Sequence, residues 1–253
     1  MYSEKQRDID NIQALFFSKV NVSEPIDKGG VHQTYIVEEK NGKKSIFRFS
    51  SKKTALENIQ TSQILRKYNI PVPNIGVYKI GTKFCEIYPF IEGQTLHEKH
   101  NQGLSKEDIE KIYRQIYDIC LAISKIPTKE FQHLTTPVTK TDRLFQIMNL
   151  APLVVGHNDL HDKNILIDDN NNVCGILDLD SISIKPFSIF LVRLFEKASE
   201  YGYNIESIKS FDEKTFNNNN RMNIKEQTDL YYKLRNILNK YRSYLAQQEL
   251  KIQ

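Results

Sequence analysis

Cysteine is scarce in this chain. There are three in 253 residues, Cys85, Cys120 and Cys174, an odd number with no Cys-x-x-Cys pair. A disulfide framework or a structural zinc site is therefore not expected, and each cysteine reads as a small buried apolar residue. Long apolar runs are missing too. None approaches the roughly 20 residues that span a bilayer, and the opening Met1-Tyr-Ser-Glu-Lys-Gln-Arg-Asp8 has no apolar stretch of the kind a secretory signal carries. Nor does charge of one sign dominate: 35 Lys and Arg stand against 31 Asp and Glu, for a net charge of +4. That balance argues against nucleic acid or a membrane surface as partner. Together these absences predict a cytoplasmic protein.

What is present is ordinary for a globule with a real core: 40% hydrophobic and 26% charged residues. At roughly 100–200 residues per domain, the length fits one domain or two tightly packed lobes. Ile9, Ile12, Leu15, Phe16 and Phe17 have helical spacing, which predicts a helix over 8–20. The period then changes to strands at 35–39 and 45–49 around the turn signal Asn41-Gly42. A helix over 54–68 must stop before Pro71 and Pro73, and strands follow at 76–80 and 84–88. Beyond Glu92-Gly93 the pattern is mostly helical. Ser105-Lys-Glu-Asp108 resembles a capping box and opens the clearest amphipathic helix, with Ile112, Ile116, Cys120 and Ile123 on one face. Apolar strands at 164–167 and 173–177 flank the polar turn Asp168-Asp-Asn-Asn-Asn172, and a second long helix is expected over about 222–247. The order is a small β-rich half, a short hinge and a larger α-rich half.

The chemistry concentrates in Val154-Val-Gly-His157-Asn158-Asp159-Leu160-His161-Asp162-Lys163-Asn164, followed after a five-residue turn by Ile176-Leu177-Asp178-Leu179-Asp180. The first segment contains His-x-Asp-x-x-x-x-Asn. Phosphoryl transfer needs a carboxylate to accept the proton of an attacking hydroxyl, which Asp159 can supply. It also needs hard oxygen ligands for a divalent cation on the phosphates, which Asn164 and Asp178 can supply. The Asp-to-Asn step of five and the order of elements are those of the protein-kinase catalytic loop and its Asp-Phe-Gly segment. Other candidates are weaker alone. Gly29-Gly30 is by itself a turn, Arg48 by itself a solvated strand residue, and Asp168 and Asp169 are turn residues. His32 and His133 are isolated, so neither suggests a metal site.

The segment His157–Asn164 with Ile176-Leu-Asp178 resembles the aminoglycoside phosphotransferase and choline kinase family of small-molecule kinases. The resemblance runs from about residue 25 to 195. It takes in Lys28-Gly29-Gly30-Val-His-Gln-Thr-Tyr35 as the loop over the nucleotide phosphates, Arg48 as the basic residue of the third strand, and Ile87-Tyr-Pro89-Phe-Ile91-Glu-Gly93 as the hinge. It implies an α+β, bilobal protein-kinase-like fold: a small β-rich N-lobe over 1–88, a hinge over 89–93, and a larger, mainly helical C-lobe over 94–253. It implies ATP or GTP as donor, Mg2+ or Mn2+ as cofactor, and a small hydroxyl-bearing acceptor. Asp159 would be catalytic, and Asn164 and Asp178 metal ligands. Gly29, Gly30, Arg48, the Pro89 carbonyl and the Ile91 N–H would bind nucleotide, with His157, Glu57 and Asp180 in support.

The sequence also departs from the family pattern. Thr61 stands where a helix glutamate would pair with the basic strand residue, which leaves Glu57, one turn earlier, as the acidic candidate. Ile189 stands where an aspartate is usual, and Asp180 where protein kinases have glycine. Asp180 argues against a protein kinase, whereas the departures at Thr61 and Ile189 motivate an alternative, a catalytically impaired kinase fold that binds nucleotide as a regulatory module. The intact Asp159, Asn164 and Asp178 weigh against it. The basic excess of Lys225, Lys233, Arg235, Lys240 and Arg242 over Glu226 and Asp229 favours an amino alcohol such as choline, or a sugar, over a polycationic aminoglycoside as acceptor.

Overall fold

The structure, a computed structural model, describes residues 3–23, 32–134, 153–187, 189–190 and 198–202, with three single positions at 229, 233 and 236. The Gly29-Gly30 loop lies outside the described residues, and so does the expected helix over 222–247 except for the helical positions 229, 233 and 236. The chain divides into two compact units: residues 1–94 with 166–180, and residues 95–165 with 181–253.

The first unit is built on a five-stranded antiparallel sheet. Its strands are β1 (Asn21–Val22), β2 (Gln33–Glu38), β3 (Lys44–Ser50), β4 (Gly76–Ile80) and β5 (Lys83–Pro89), in the order β1-β2-β3-β5-β4. Asn41-Gly42 turns β2 into β3 as its sequence demands. Gly42 takes a positive φ of 82°, and the Asn41 side chain accepts the Lys43 N–H. Side chains alternate along each strand, and the two faces differ in kind. Tyr35, Val37, Phe47, Phe49 and Cys85 join Ile12 and Val20 in one apolar cluster under helix α1 (Glu4–Gln13). The helix is shorter than the 8–20 expected, and it is tied to the sheet by the buried Asp8, which accepts from Lys83 Nζ at 2.8 Å. Arg48 and Glu86 occupy alternate positions on β3 and β5 and meet directly across the strands.

Helix α2 (Lys52–Lys67) packs on β4 and β5, capped by Ser51, whose hydroxyl accepts the Thr54 N–H. Its buried positions include three polar residues, Asn58, Thr61 and Ser62, so it brings hydrogen-bonding groups rather than a purely apolar stripe. Residues 166–180 were expected in the helical lobe but group with this unit. The hairpin of β8 (Ile165–Ile167) and β9 (Val173–Ile176) explains why: the Ile176 N–H donates to the Pro71 carbonyl at 2.7 Å. The turn between those strands is held by Asp168, which accepts the N–H groups of Asn170 and Asn172.

In the second unit a short strand β6 (Gln94–Thr95) leads into helix α3 (Leu96–Gln102), and α4 (Lys106–Ser124) follows. Ser105 caps α4 as its sequence predicts, accepting the Asp108 N–H, and Ile112, Tyr113, Ile116, Tyr117, Cys120 and Ile123 form its buried face. Against α4 packs β7 (Leu153–His157), paired antiparallel with β10 (Ile182–Pro186) so that His157 lies opposite Ile182. Among the described residues, no helix is long and apolar enough to cross a membrane.

Candidate active site

In the first unit the chemistry gathers around Arg48. Its Nη1 donates to both oxygens of Glu86, at 3.2 and 3.3 Å, and to Asp180 Oδ1 at 2.9 Å. Its Nη2 donates to Asp180 Oδ2 at 2.7 Å and to Asp178 Oδ1 at 3.3 Å. The sequence pattern offered Glu57 as the counter-ion. The carboxylate that meets Arg48 is instead Glu86, on the neighbouring strand rather than on the helix. What α2 contributes is Asn58, whose amide donates to Glu86 Oε2 at 3.0 Å and to Asp180 Oδ1. Ser50 Oγ donates to Glu86 Oε1 at 2.7 Å, and His32 Nε2 lies 3.1 Å from Asp180 Oδ2. Burial works against the Arg48 charge, but the hydrogen bond and charge of Asp180 and the charge of Glu86 outweigh it, and its pKa is raised. The same pairing acts on Asp180. Burial pushes its pKa up, while Arg48, Asn58 and His32 together hold it below the ordinary carboxylate value.

Asp178 sits at φ 59°, a left-handed conformation that costs a non-glycine residue energy. The backbone spends that strain at a residue whose carboxylate is about a third exposed, at 36%.

Still in the first unit, a cavity of about 460 Å³ is lined by Pro89 and Ile91 together with Arg66, residues 69–74 and Cys174. Phe90 donates its N–H to the Lys44 carbonyl on β3. The 89–90 peptide is trans, so the Pro89 carbonyl points to the opposite side, away from the β3 ladder.

In the second unit the strand β7 delivers His157 and then a tight turn. The Asn158 N–H is bound by the Ser181 carbonyl at 2.8 Å. The Asp159 N–H donates to His157 Nδ1 at 3.2 Å, which places the ring proton on Nε2. The Lys163 N–H donates to His161 Nδ1 at 3.2 Å, and His161 Nε2 lies 3.3 Å from the Asn164 amide nitrogen and 3.7 Å from Asp159 Oδ2. Asn164 donates its amide nitrogen to the Asp159 carbonyl at 3.0 Å. A carbonyl only accepts, so the amide orientation is forced and the Asn164 oxygen is directed elsewhere, where it can act as a hard ligand. Asp162, buried beside this loop, accepts from the Tyr201 hydroxyl at 2.7 Å and pairs with His97 Nδ1 at 2.9 Å, anchoring the turn to α3.

Residues 141–195 match the family model APH, the phosphotransferase enzyme family. Solved structures share the fold. A GDP complex of a variant aminoglycoside 2'-phosphotransferase IIIa superposes with a TM-score of 0.60 at 19% identity, over 77% of this chain and 78% of that one. The GDP and kanamycin complex of APH(2")-IIIa gives 0.59 at 18%, over 81% and 86%. The macrolide 2'-phosphotransferase MphH of Brachybacterium faecium gives 0.53 at 13%, over 77% and 84%. No curated protein sequence matches.

The expected α+β kinase-like fold is borne out by the solved structures, and the match over residues 141–195 takes in the segment that carries Asp159, Asn164 and Asp178. The sequence pattern pointed to Arg48, Asp159, Asn164 and Asp178, and it did not point to Glu86, Asn58 or His32 as partners of Arg48 and Asp180. No linear signal marks them, because each reaches Arg48 or Asp180 from a separate element. Ile189, where an aspartate was expected, is a buried apolar residue.

Proposed function

We propose that the protein transfers the γ-phosphoryl group of ATP or GTP to a hydroxyl of a small molecule. The observation that carries this reading is the 3.3 Å contact between Arg48 Nη2 and Asp178 Oδ1. It joins the strand cation assigned to phosphate with the carboxylate assigned to the metal. Asp159 accepts the hydroxyl proton as the oxygen attacks phosphorus and the bond to the departing nucleoside diphosphate breaks. Asn164 and Asp178 would each offer a hard oxygen to a divalent cation, Mg2+ or Mn2+, and the cation would neutralise phosphate charge. The donor set fits such an ion, since a forced amide oxygen and a partly exposed carboxylate are both hard ligands. Arg48 and the Gly29-Gly30 loop bind phosphate. His157 supports the turn through its bond to the Asp159 N–H. The outward Pro89 carbonyl and the Ile91 N–H take the base edge.

The acceptor is an amino alcohol or a sugar rather than an aminoglycoside. This rests on the basic residues between 225 and 242, which would repel a polycation. The test is competition among choline, ethanolamine, simple sugars and kanamycin at equal concentration, with ATP or GTP and Mg2+. Phosphorylation of kanamycin in preference to the others would overturn the choice of acceptor. Absence of nucleotide consumption with any hydroxyl compound, despite nucleotide binding, would favour the regulatory module.

A further inference from the structure

Arg48 is the cation to which the proposed function assigns nucleotide phosphate, yet its outward fork is already taken. Asp180 accepts from both terminal nitrogens in a fork-to-fork pair, at 2.9 and 2.7 Å. This is the arrangement a guanidinium offers to two oxygens of a phosphate. Glu86 holds the same guanidinium through Nη1 alone.

The two carboxylates differ in a way that assigns them different tasks. Glu86 is 1% exposed, directly opposite Arg48 in strand register, and its oxygens are further bound by Ser50 and Asn58. A charge so enclosed has nowhere to go, and releasing Arg48 would leave it buried without its counter-ion. Asp180 is 25% exposed and has two partners besides Arg48, namely His32 and Asn58, so it keeps donors when Arg48 turns away. Three carboxylates, Glu86, Asp178 and Asp180, surround one guanidinium. The cluster is therefore net negative and repels a bare phosphate as it stands.

We infer that Glu86 is the fixed anchor of Arg48, and that Asp180 is an exchangeable latch that fills its phosphate fork until a nucleotide phosphate displaces it. Both are positioning residues, since they act on phosphate through Arg48. A plain structural staple would show itself only in stability. The latch and the anchor move affinity in opposite directions.

The test measures binding of inorganic tripolyphosphate and of ADP in the presence of a chelator, so that no divalent cation takes part. Wild type, Asp180→Asn, Asp180→Ala and Glu86→Gln are compared by calorimetry, each with a thermal melt to show that it is folded. Asp180→Asn keeps the side-chain shape and serves if the alanine variant does not fold. Both Asp180 variants should bind tripolyphosphate at least about tenfold more tightly than wild type, and Glu86→Gln more weakly by a similar factor. Unchanged or weaker binding in a folded Asp180 variant would overturn the latch. Undiminished binding in folded Glu86→Gln would overturn the anchor. The inference rests on the kinase reading, and the two fail separately. Wild type that binds ADP with Mg2+ while the Asp180 variants gain nothing defeats the latch alone. Wild type that binds no nucleotide with or without Mg2+ defeats both.

Discussion

Asp178 and Asp159 are both carboxylates, yet their backbones set them apart. Asp178 sits at φ 59°, which asparagine tolerates as aspartate does. Asp178→Asn should therefore fold with a stability within about 1 kcal/mol of wild type while losing two or more orders of magnitude in turnover, roughly the scale of a removed charge-stabilising group. Melting curves and an ATPase-coupled assay separate the two effects, and full activity in the variant would sink the metal assignment. For Asp159→Asn the expectation is a fall in kcat of about 10²–10⁴ with little change in nucleotide affinity, because a general base acts on the acceptor and the transition state. Equal loss of nucleotide binding would make Asp159 a phosphate-site residue instead. Legibility at this scale followed linear spacing. Asp159, Asn164 and Asp178 were readable because one loop and one hairpin fix their separations. Glu86 was not readable, because it meets Arg48 only through the β3–β5 pairing, which skips β4. The sequence pattern directed attention to a helix carboxylate, Glu57, and the strand supplied the charge instead.

Helix α3 shows a signal that was present and unread. Thr95-Leu-His-Glu98 is a capping box: Thr95 Oγ1 accepts the Glu98 N–H, and the Glu98 carboxylate accepts the Thr95 N–H at 2.7 Å. Those bonds, with some help from His97, hold the Glu98 carboxyl below its ordinary range. The cap sets α3 so that His100 stacks on Tyr201, with ring centroids 3.4 Å apart. The His100 Nε2 is buried with no hydrogen-bond partner. Burial is the main reason its pKa lies below 6.5. His97 pushes it the same way, and Asp162 opposes both. A histidine held neutral in the fold binds its proton more readily in the unfolded chain, so it costs stability as pH falls below 6.5 toward the lowered value. The melting temperature should therefore drop less between about pH 7 and about pH 5 in His100→Phe, which keeps the stack, than in wild type. Parallel pH dependence in the two proteins would exclude His100 as the source. A second element-level constraint lies at Gly156 of β7, where a Cβ would overlap the Phe190 ring. Gly156→Ala should cost about 1–3 kcal/mol by overpacking and displace the strand end that carries His157, which urea unfolding and kcat would both report.

For the whole molecule, the expected boundary near the hinge proved simpler than the division observed. A compact unit need not be continuous in sequence, and the Ile176–Pro71 hydrogen bond ties 166–180 to the sheet-bearing unit although the flanking chain belongs to the other. Arg48 and Asp178 thus lie in the first unit, and Asp159 and Asn164 in the second. Ligand linkage can test their assigned roles without a known acceptor. A ligand that binds only the folded chain stabilises it by RT ln(1 + [L]/Kd), about 2.7 kcal/mol at a hundred times Kd. ADP with Mg2+ should therefore raise the melting temperature, and a chelator should remove the part of the rise that depends on the cation. The variants then sort by role. Asp159→Asn should keep the full rise, because its carboxylate is assigned to the acceptor proton, whereas Asp178→Asn should keep only the small rise seen under chelator. If Asp178→Asn shows the complete Mg2+-dependent rise, the cation is held by other groups. The 3.3 Å contact with Arg48 would then be the whole of what Asp178 contributes to the site.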